Sequence, residues 1–306
     1  KVFKFLIKYV YAANLVLLIM IFAAGKTRGI AGWFKLDFID RALQPGELCK
    51  ISIIVTLSKY VSDCMDKEGK FRGLGYIIKT TMYCAVPTVL VMMQPDFGTA
   101  FVFICIMVFI YFIGRISWGY ILTAAGGLAV CMPLAYYFVL SDSQRERIDV
   151  FINPESDLQN SGYNVAQSKI AIGSGQLTGK GFFSEGTLAQ LRFVPERHTD
   201  FIFAGIVEGL GFVGGTIIIC LFFALIFRWI YIAMRTKDSF GTCLVVGVAG
   251  MFTAHVFENI GMTIGLMPVT GIPLPFISYG GSNLLTNLIG VGIVENVWMR
   301  RQSKKR

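Results

Sequence analysis

The chain reads as an all-α protein, a polytopic transmembrane helical bundle that carries one long extracytoplasmic loop. Three observations predict this. Hydrophobic residues make up 55% of the 306 residues and charged residues only 15%, with a mean hydropathy of +0.63, more apolar surface than a water-soluble fold of this size can hide. The apolar residues fall in blocks of roughly 17 to 25, the length of helix needed to cross ~30 Å of hydrocarbon. Short basic clusters separate the blocks, the pattern that orients helices in a bilayer.

In chain order the blocks predict eight spans, at about 5–24, 48–63, 75–93, 97–114, 118–140, 201–230, 240–264 and 281–299. The first closes on "LVLLIMIFAA", and the fourth is the nearly unbroken "FVFICIMVFIYFIG". The sixth holds the run "TIIICLFFALIF". Placing the C-terminal "RRQSKKR" in the cytoplasm puts the connections near 64–74, 115–117 and 231–239 inside as well. The outer short loops and their helix ends then hold only Lys26, Arg28, Lys35, Arg41 and Lys50. It follows that "AGKTRGIAGWFKLDFIDRALQPGELCK", the turn "QPDFGTA", the stretch 141–200 and "MPVTGIPLPFISYGGS" emerge on the outer face. No soluble domain of about 100 residues fits between the blocks. Residues 1–306 are therefore expected to form one integral membrane domain, with 141–200 as a large loop inside it. The start "KVFKFLIKYV" lacks a small-residue cleavage site, so no signal peptide is expected, and N-terminal sequence is expected to be missing.

The long outer loop exceeds what a connector needs and is too rich in glycine for a compact domain, so a functional loop is expected. Within it, "NSGYNVAQSKIAIGSG" spaces Val165, Ile170 and Ile172 among small and polar residues, which predicts a short interfacial or re-entrant helix ended by glycine.

Several function classes fall away. The net charge of +9 sits in topological clusters, so it does not call for nucleic acid. Seven cysteines lie in or beside apolar segments without metal-like spacing, which suits core packing. "GSGQLTGKGFF" fails as a phosphate loop because Ser174 and Gly181 stand where glycine and a hydroxyl residue are required. With only His198 and His255 present, no histidine-built metal site is expected. His255, next to Glu258 and Asn259, reads as an interhelical contact.

The chemistry concentrates in "FVPERHTDFIFAGIVEGLG". Asp200 stands where a polar run becomes apolar, so partial desolvation should raise its basicity while Arg192 and Arg197 pull the other way, leaving a tuned base. Capping of the next helix by Thr199 or Asp200 is an equal reading. Glu208 lies two turns further along the same face. With Lys50, Asp96, Glu258 and Glu295 it predicts a polar interior, either functional or internally paired. "PVTGIPLPFISYGGS" packs Pro268, Pro273, Pro275 and several glycines between two helices. Such non-helical backbone persists at membrane depth only where it lines a cavity or is covered by protein, so a rigid substrate groove including Ser278 is expected.

These stretches resemble a known family. "NPESDLQNSGYNVAQSKIAIGSGQLTGKGFF", "LRFVPERHTDFIFAGIVEGLGFVGG" and "GMTIGLMPVTGIPLPFISYGGS", with "QPGELCK" and "QPDFGTA" before them, look like the SEDS (shape, elongation, division and sporulation) proteins of bacteria. The wording is closer to the RodA branch than to the FtsW branch, and the resemblance covers essentially the whole chain. It implies a peptidoglycan glycosyltransferase of the bacterial cytoplasmic membrane that polymerises lipid II at the outer face beside a class B penicillin-binding protein. The prenyl tails of lipid II would remain among membrane lipid. By resemblance Asp200 matches the essential aspartate of the family's HTDFIF motif, Glu196 the preceding acid, Lys50 the lysine ending the QPxE motif, and Trp33 the tryptophan of the first outer loop. Lys50, Lys180, Arg192, Arg197 or a divalent cation (Mg or Mn) would then stabilise the leaving diphosphate. Ten spans are usual in the family, which implies that the first two are absent here. Gly46 and Gly209 depart from its usual serine and second acid. A lipid II flippase and a non-catalytic scaffold of the elongation or division complex are the competing readings.

Overall fold

The structure, a computed structural model, describes residues 2–23, 34–36, 41–138, 142–153, 161–181 and 198–303. A helix forms at each of the eight apolar blocks: α1 (Val2–Ala23), α2 (Pro45–Glu68), α3 (Leu74–Met92), α4 (Phe97–Ile113), α5 (Trp118–Phe138), α8 (Ile202–Arg235), α9 (Ser239–Thr263) and α10 (Gly281–Ser303). Two more, α6 (Asp142–Ile152) and α7 (Ser161–Ser174), lie within the long loop. The only sheet among the described residues is an antiparallel ladder of β1 (Phe34–Leu36) and β2 (Arg41–Leu43), with Phe34 opposite Leu43. Among the described helices α3, α8 and α9 are long and apolar enough to cross a membrane, and α1 and α4 contain shorter apolar stretches.

The surface pattern inverts that of a water-soluble protein. Ile19 and Met20 of α1, Ile78 and Met82 of α3, Phe112 of α4, Leu122 of α5 and Phe227 of α8 are exposed, whereas Asn14, Ser52, Thr56, Thr80 and Thr286 are buried. Against hydrocarbon, apolar side chains gain nothing by hiding, and helices associate through small and polar residues instead.

The chain divides into two compact units, one of Lys1–Ser117, Ile226–Ala254 and Gly280–Arg306, the other of Trp118–Leu225 and His255–Tyr279. In the first, α2 is the central post, packed on α1, α3, α4 and α10, and its Ile53, Ile54, Leu57 and Val61 are fully buried. Pro45 opens α2 at a position whose missing N–H costs nothing, and Gly69 ends it in a left-handed turn at φ 72°. Asp96 caps α4, one oxygen accepting the Thr99 N–H at 3.0 Å and the other the Gln44 side-chain amide at 3.0 Å. The Gln44 backbone N–H in turn donates to Ser282 Oγ at 3.2 Å, so one polar residue ties the starts of α2, α4 and α10 together.

In the second unit, α7 lies over the start of α8, with Val165 and Ala171 packed on Phe201 and Ala204. Phe203 and Val207 of α8 pack on Leu274 of the 264–280 turn. Continuous helix from Ile202 to Arg235 would run about 51 Å, well beyond the ~30 Å of a hydrocarbon core. The helix is in fact broken at Gly211, whose φ 70° and ψ −172° lie outside helical space. That conformation is essentially confined to glycine. From Phe212 to Arg235 the remaining rod is about 36 Å long, which suits one span. The short helix before the break, Ile202–Leu210, is left to carry the polar chemistry.

Candidate active site

His198, Thr199, Asp200 and Phe201 form a turn immediately before α8. The turn is fixed by its backbone. Asn259 of α9 donates its side-chain N–H to the Asp200 carbonyl at 2.8 Å and to the Ile272 carbonyl at 2.7 Å. Ser278 donates its hydroxyl to the Thr199 carbonyl at 2.6 Å while accepting the Leu274 N–H at 2.8 Å. The Tyr279 N–H donates to the His198 carbonyl at 2.9 Å. Three successive carbonyls are thus held by α9 and the 264–280 turn. Asp200 itself is half-buried and His198 exposed, so the carboxylate belongs to a held backbone without being sealed from its surroundings.

The 264–280 turn is equally constrained. His255, buried in α9, places Nδ1 3.2 Å from the Pro273 carbonyl, a contact from helix to turn where an interhelical one was expected. Gly271 has φ 75°, and a Cβ added there would stand 3.4 Å from Asp200 Oδ2, so this backbone lies directly against the carboxylate. Its glycine is required by the left-handed angle more than by space. The turn is non-helical throughout, with Ile272, Leu274 and Ser278 buried and Leu266, Phe276 and Tyr279 exposed.

Two other buried acids, Glu208 and Glu47, are ion-paired. Glu208, in the short helix before the Gly211 break, has a side chain only 1% exposed, and its Oε1 lies 3.4 Å from Lys180 Nζ. Ser174 Oγ approaches the same oxygen at 3.4 Å. Lys50, wholly buried in α2, lies 2.6 Å from Glu47 Oε1, and the second Glu47 oxygen has no hydrogen-bond partner among the described residues. Asp96 serves as the α4 cap, and Glu295 is exposed. Asp200 and Ser278 are brought together, and Lys180 joins Glu208 in the same unit. Lys50 belongs to the other unit. Trp33, Arg192, Glu196 and Arg197 lie outside the described residues. Among the described residues no three of His, Cys, Asp and Glu come together in a way that could hold a metal ion.

Three features escaped the sequence reading: Asn259 as the anchor of Asp200, Glu47 as the partner of Lys50, and the α8 break. Glu47 was signalled by its place one turn before Lys50 in "QPGELCK". The break was signalled by the glycines of "GLGFVGG". Asn259 carried no signal beyond being an amide in an apolar helix.

Comparison with known proteins decides the family. The Cell cycle protein family model of FtsW, RodA and SpoVE matches residues 1–303. The chain belongs to this family. Among its SEDS relatives, the peptidoglycan glycosyltransferase MrdB of Escherichia coli K12 is 38% identical over 296 residues, covering 96% of this chain and 78% of MrdB. The stage V sporulation protein E of Bacillus subtilis is 37% identical, covering 92% of this chain and 75% of that protein. Among solved structures, a chain of a peptidoglycan synthase complex that coordinates polymerization and crosslinking superposes with TM-score 0.81 at 28% identity, over 98% of this chain and 82% of that one. The Thermus thermophilus rod shape determining protein RodA superposes with TM-score 0.68 at 26% identity, over 98% and 79%. This SEDS chain is thus a multi-pass helical protein of the bacterial inner membrane.

Proposed function

We propose that this chain is a peptidoglycan glycosyltransferase serving cell shape, and that Asp200 is its catalytic base. The observation that carries the assignment of the base is the mounting of Asp200. Three backbone carbonyls of its turn are held by Asn259, Ser278 and Tyr279, while the residue at the head of the short helix is half-buried and not sealed in. A fixed backbone with an accessible carboxylate is the geometry general-base catalysis needs, because a misplaced base loses most of its effect.

The substrate is lipid II as both donor and acceptor, entering at the outer face with its prenyl tails left among membrane lipid. Asp200 accepts the proton of the 4-hydroxyl of one lipid-linked sugar. That oxygen forms a bond to the anomeric carbon of the second sugar, whose bond to the diphosphate oxygen breaks. The pair of electrons leaves with the undecaprenyl diphosphate. An α-linked donor gives a β-linked strand in this single displacement, so one base suffices and no enzymic nucleophile is needed. Arg192 and Arg197 are the cationic groups proposed to favour the developing diphosphate charge, with Glu196 and Ser278 completing the substrate site. No step is assigned to a divalent cation. The partner proposed for crosslinking is a class B penicillin-binding protein, in keeping with the synthase complex that the fold resembles. Residues 1–306 act in this reading as one integral membrane domain with the 141–200 loop inside it.

The test is strand formation from labelled lipid II by the reconstituted protein. Asp200→Asn, which keeps the shape and removes the basicity, should form no polymer while retaining lipid II binding. Full polymerisation by that variant would remove Asp200 from the mechanism. Translocation of lipid II without polymer by the unaltered protein would make the chain a flippase, and neither activity a scaffold.

A further inference from the structure

The turn that follows α7 closes the break in α8. Where the α8 ladder fails, the carbonyls of Glu208 and Gly209 and the N–H groups of Phe212 and Val213 lose their helical partners. The turn supplies all four. Lys180 N–H donates to the Glu208 carbonyl at 3.0 Å and Gly181 N–H to the Gly209 carbonyl at 2.9 Å. Phe212 N–H donates to the Gln176 carbonyl at 2.8 Å and Val213 N–H to the Leu177 carbonyl at 3.2 Å. The two backbones meet so closely that side chains are excluded: a Cβ on Gly175 would collide with the Val207 carbonyl oxygen, one on Gly179 with the Gly209 carbonyl oxygen, and one on Gly211 with Gly179 N.

At the centre of this junction stands a charge. The Glu208 carboxylate is withdrawn from solvent and faces Lys180 Nζ and Ser174 Oγ, each at 3.4 Å. A carboxylate buried this deeply is retained only with compensating partners. Its cationic partner comes from the turn itself. From the middle of α7, Ser168 donates its hydroxyl to the Thr263 carbonyl of α9 at 2.7 Å, and on either side of it Val165 and Ala171 cover Phe201 and Ala204. The α7-turn segment therefore grips the short helix Ile202–Leu210 along its length, from beside Asp200 to the break.

We propose that Lys180 and Glu208 are positioning residues, whose ion pair, buried on the Glu208 side and open to the surface on the Lys180 side, locks the 175–181 turn into the α8 break and thereby fixes the helix that presents Asp200. This rests on Asp200 being the base. It gives Lys180 a different task from contacting substrate, since its ammonium is directed to an acid two turns along the helix from the reacting group.

The test uses Lys180→Met, Glu208→Gln, Lys180→Arg and the exchange Lys180→Glu with Glu208→Lys, in the full chain reconstituted in liposomes. The expected result for Lys180→Met and Glu208→Gln is a fall in kcat of about 10- to 100-fold with KM for lipid II little changed. Lys180→Arg should keep activity, and the exchange should recover more than either of its component substitutions. Hydrogen exchange of the 202–210 amides should quicken in Lys180→Met, a readout independent of turnover. A raised KM with unchanged kcat and unchanged exchange would overturn the proposal and return Lys180 to the substrate. Unchanged kcat in Lys180→Met, while Asp200→Asn is inactive, would overturn positioning and leave the base intact. Activity in Asp200→Asn would instead remove the base.

Discussion

Asn259 offers the sharpest test of how Asp200 is held. Its side-chain amide is fully buried and makes two hydrogen bonds, to the carbonyls of Asp200 at 2.8 Å and Ile272 at 2.7 Å. Replacing it by leucine preserves size and removes both donors. Each carbonyl is then left without that partner in a low-dielectric interior, at about 1–3 kcal/mol apiece. The sum is about 2–6 kcal/mol, toward the lower end because a carbonyl has a second lone pair. Asn259→Ala opens room for water to reach the same oxygens and should be the milder change. The substitutions also free the Asp200 backbone, and displacement of a reacting group by about 1 Å lowers turnover about 100-fold. Thermal unfolding in detergent, with strand formation from lipid II below the unfolding transition, reads both effects. An Asn259→Leu protein that melts and polymerises as the unaltered chain does would refute the argument, because the two carbonyls would then have no need of the amide.

Two further substitutions test the rest of the framework. Gly211→Ala forces an L-residue into φ 70°, ψ −172° against the Leu177 carbonyl. It should cost at least ~1–3 kcal/mol from backbone strain alone, whereas Gly205→Ala, with open space around its Cβ position, should be neutral or slightly stabilising in the same melting experiment. Lys50→Met strands the buried Glu47 carboxylate and should destabilise by about 3–5 kcal/mol, while the double substitution Glu47→Gln with Lys50→Met should regain much of that loss. Equal melting points for the single and double variants would show that the pair is not coupled.

What the sequence made legible was whatever a bilayer dictates directly. Runs such as "FVFICIMVFIYFIG" have no alternative to helix in hydrocarbon, because each backbone polar group must be satisfied within its own segment, and α4 follows that run closely. Asp200 stood out as a titratable residue at the edge of an apolar block, a position that capping of the next helix explains equally well. The glycine-ended helix in the loop was legible from the spacing of Val165, Ile170 and Ile172, and α7 forms there. Lys180 was not, since its pairing with Glu208 joins residues 28 positions apart and no local pattern announces which acid a lysine will meet. The break was hidden for a related reason. Glycine is common in membrane helices, and nothing in "GLGFVGG" says which glycine departs from the helix. Asn259 was hidden because its partners are carbonyls, which every residue possesses.

The interruption at Gly211 also has a mechanical meaning. A membrane rod tilts to match the thickness of the lipid around it, and a rigid extension would convert a few degrees of tilt into ångströms of travel at its tip. Because the 175–181 turn bonds Glu208 and Gly209 on one side of the interruption and Phe212 and Val213 on the other, both lips are clamped to one turn, and any tilt of the rod loads that clamp before it reaches the carboxylate.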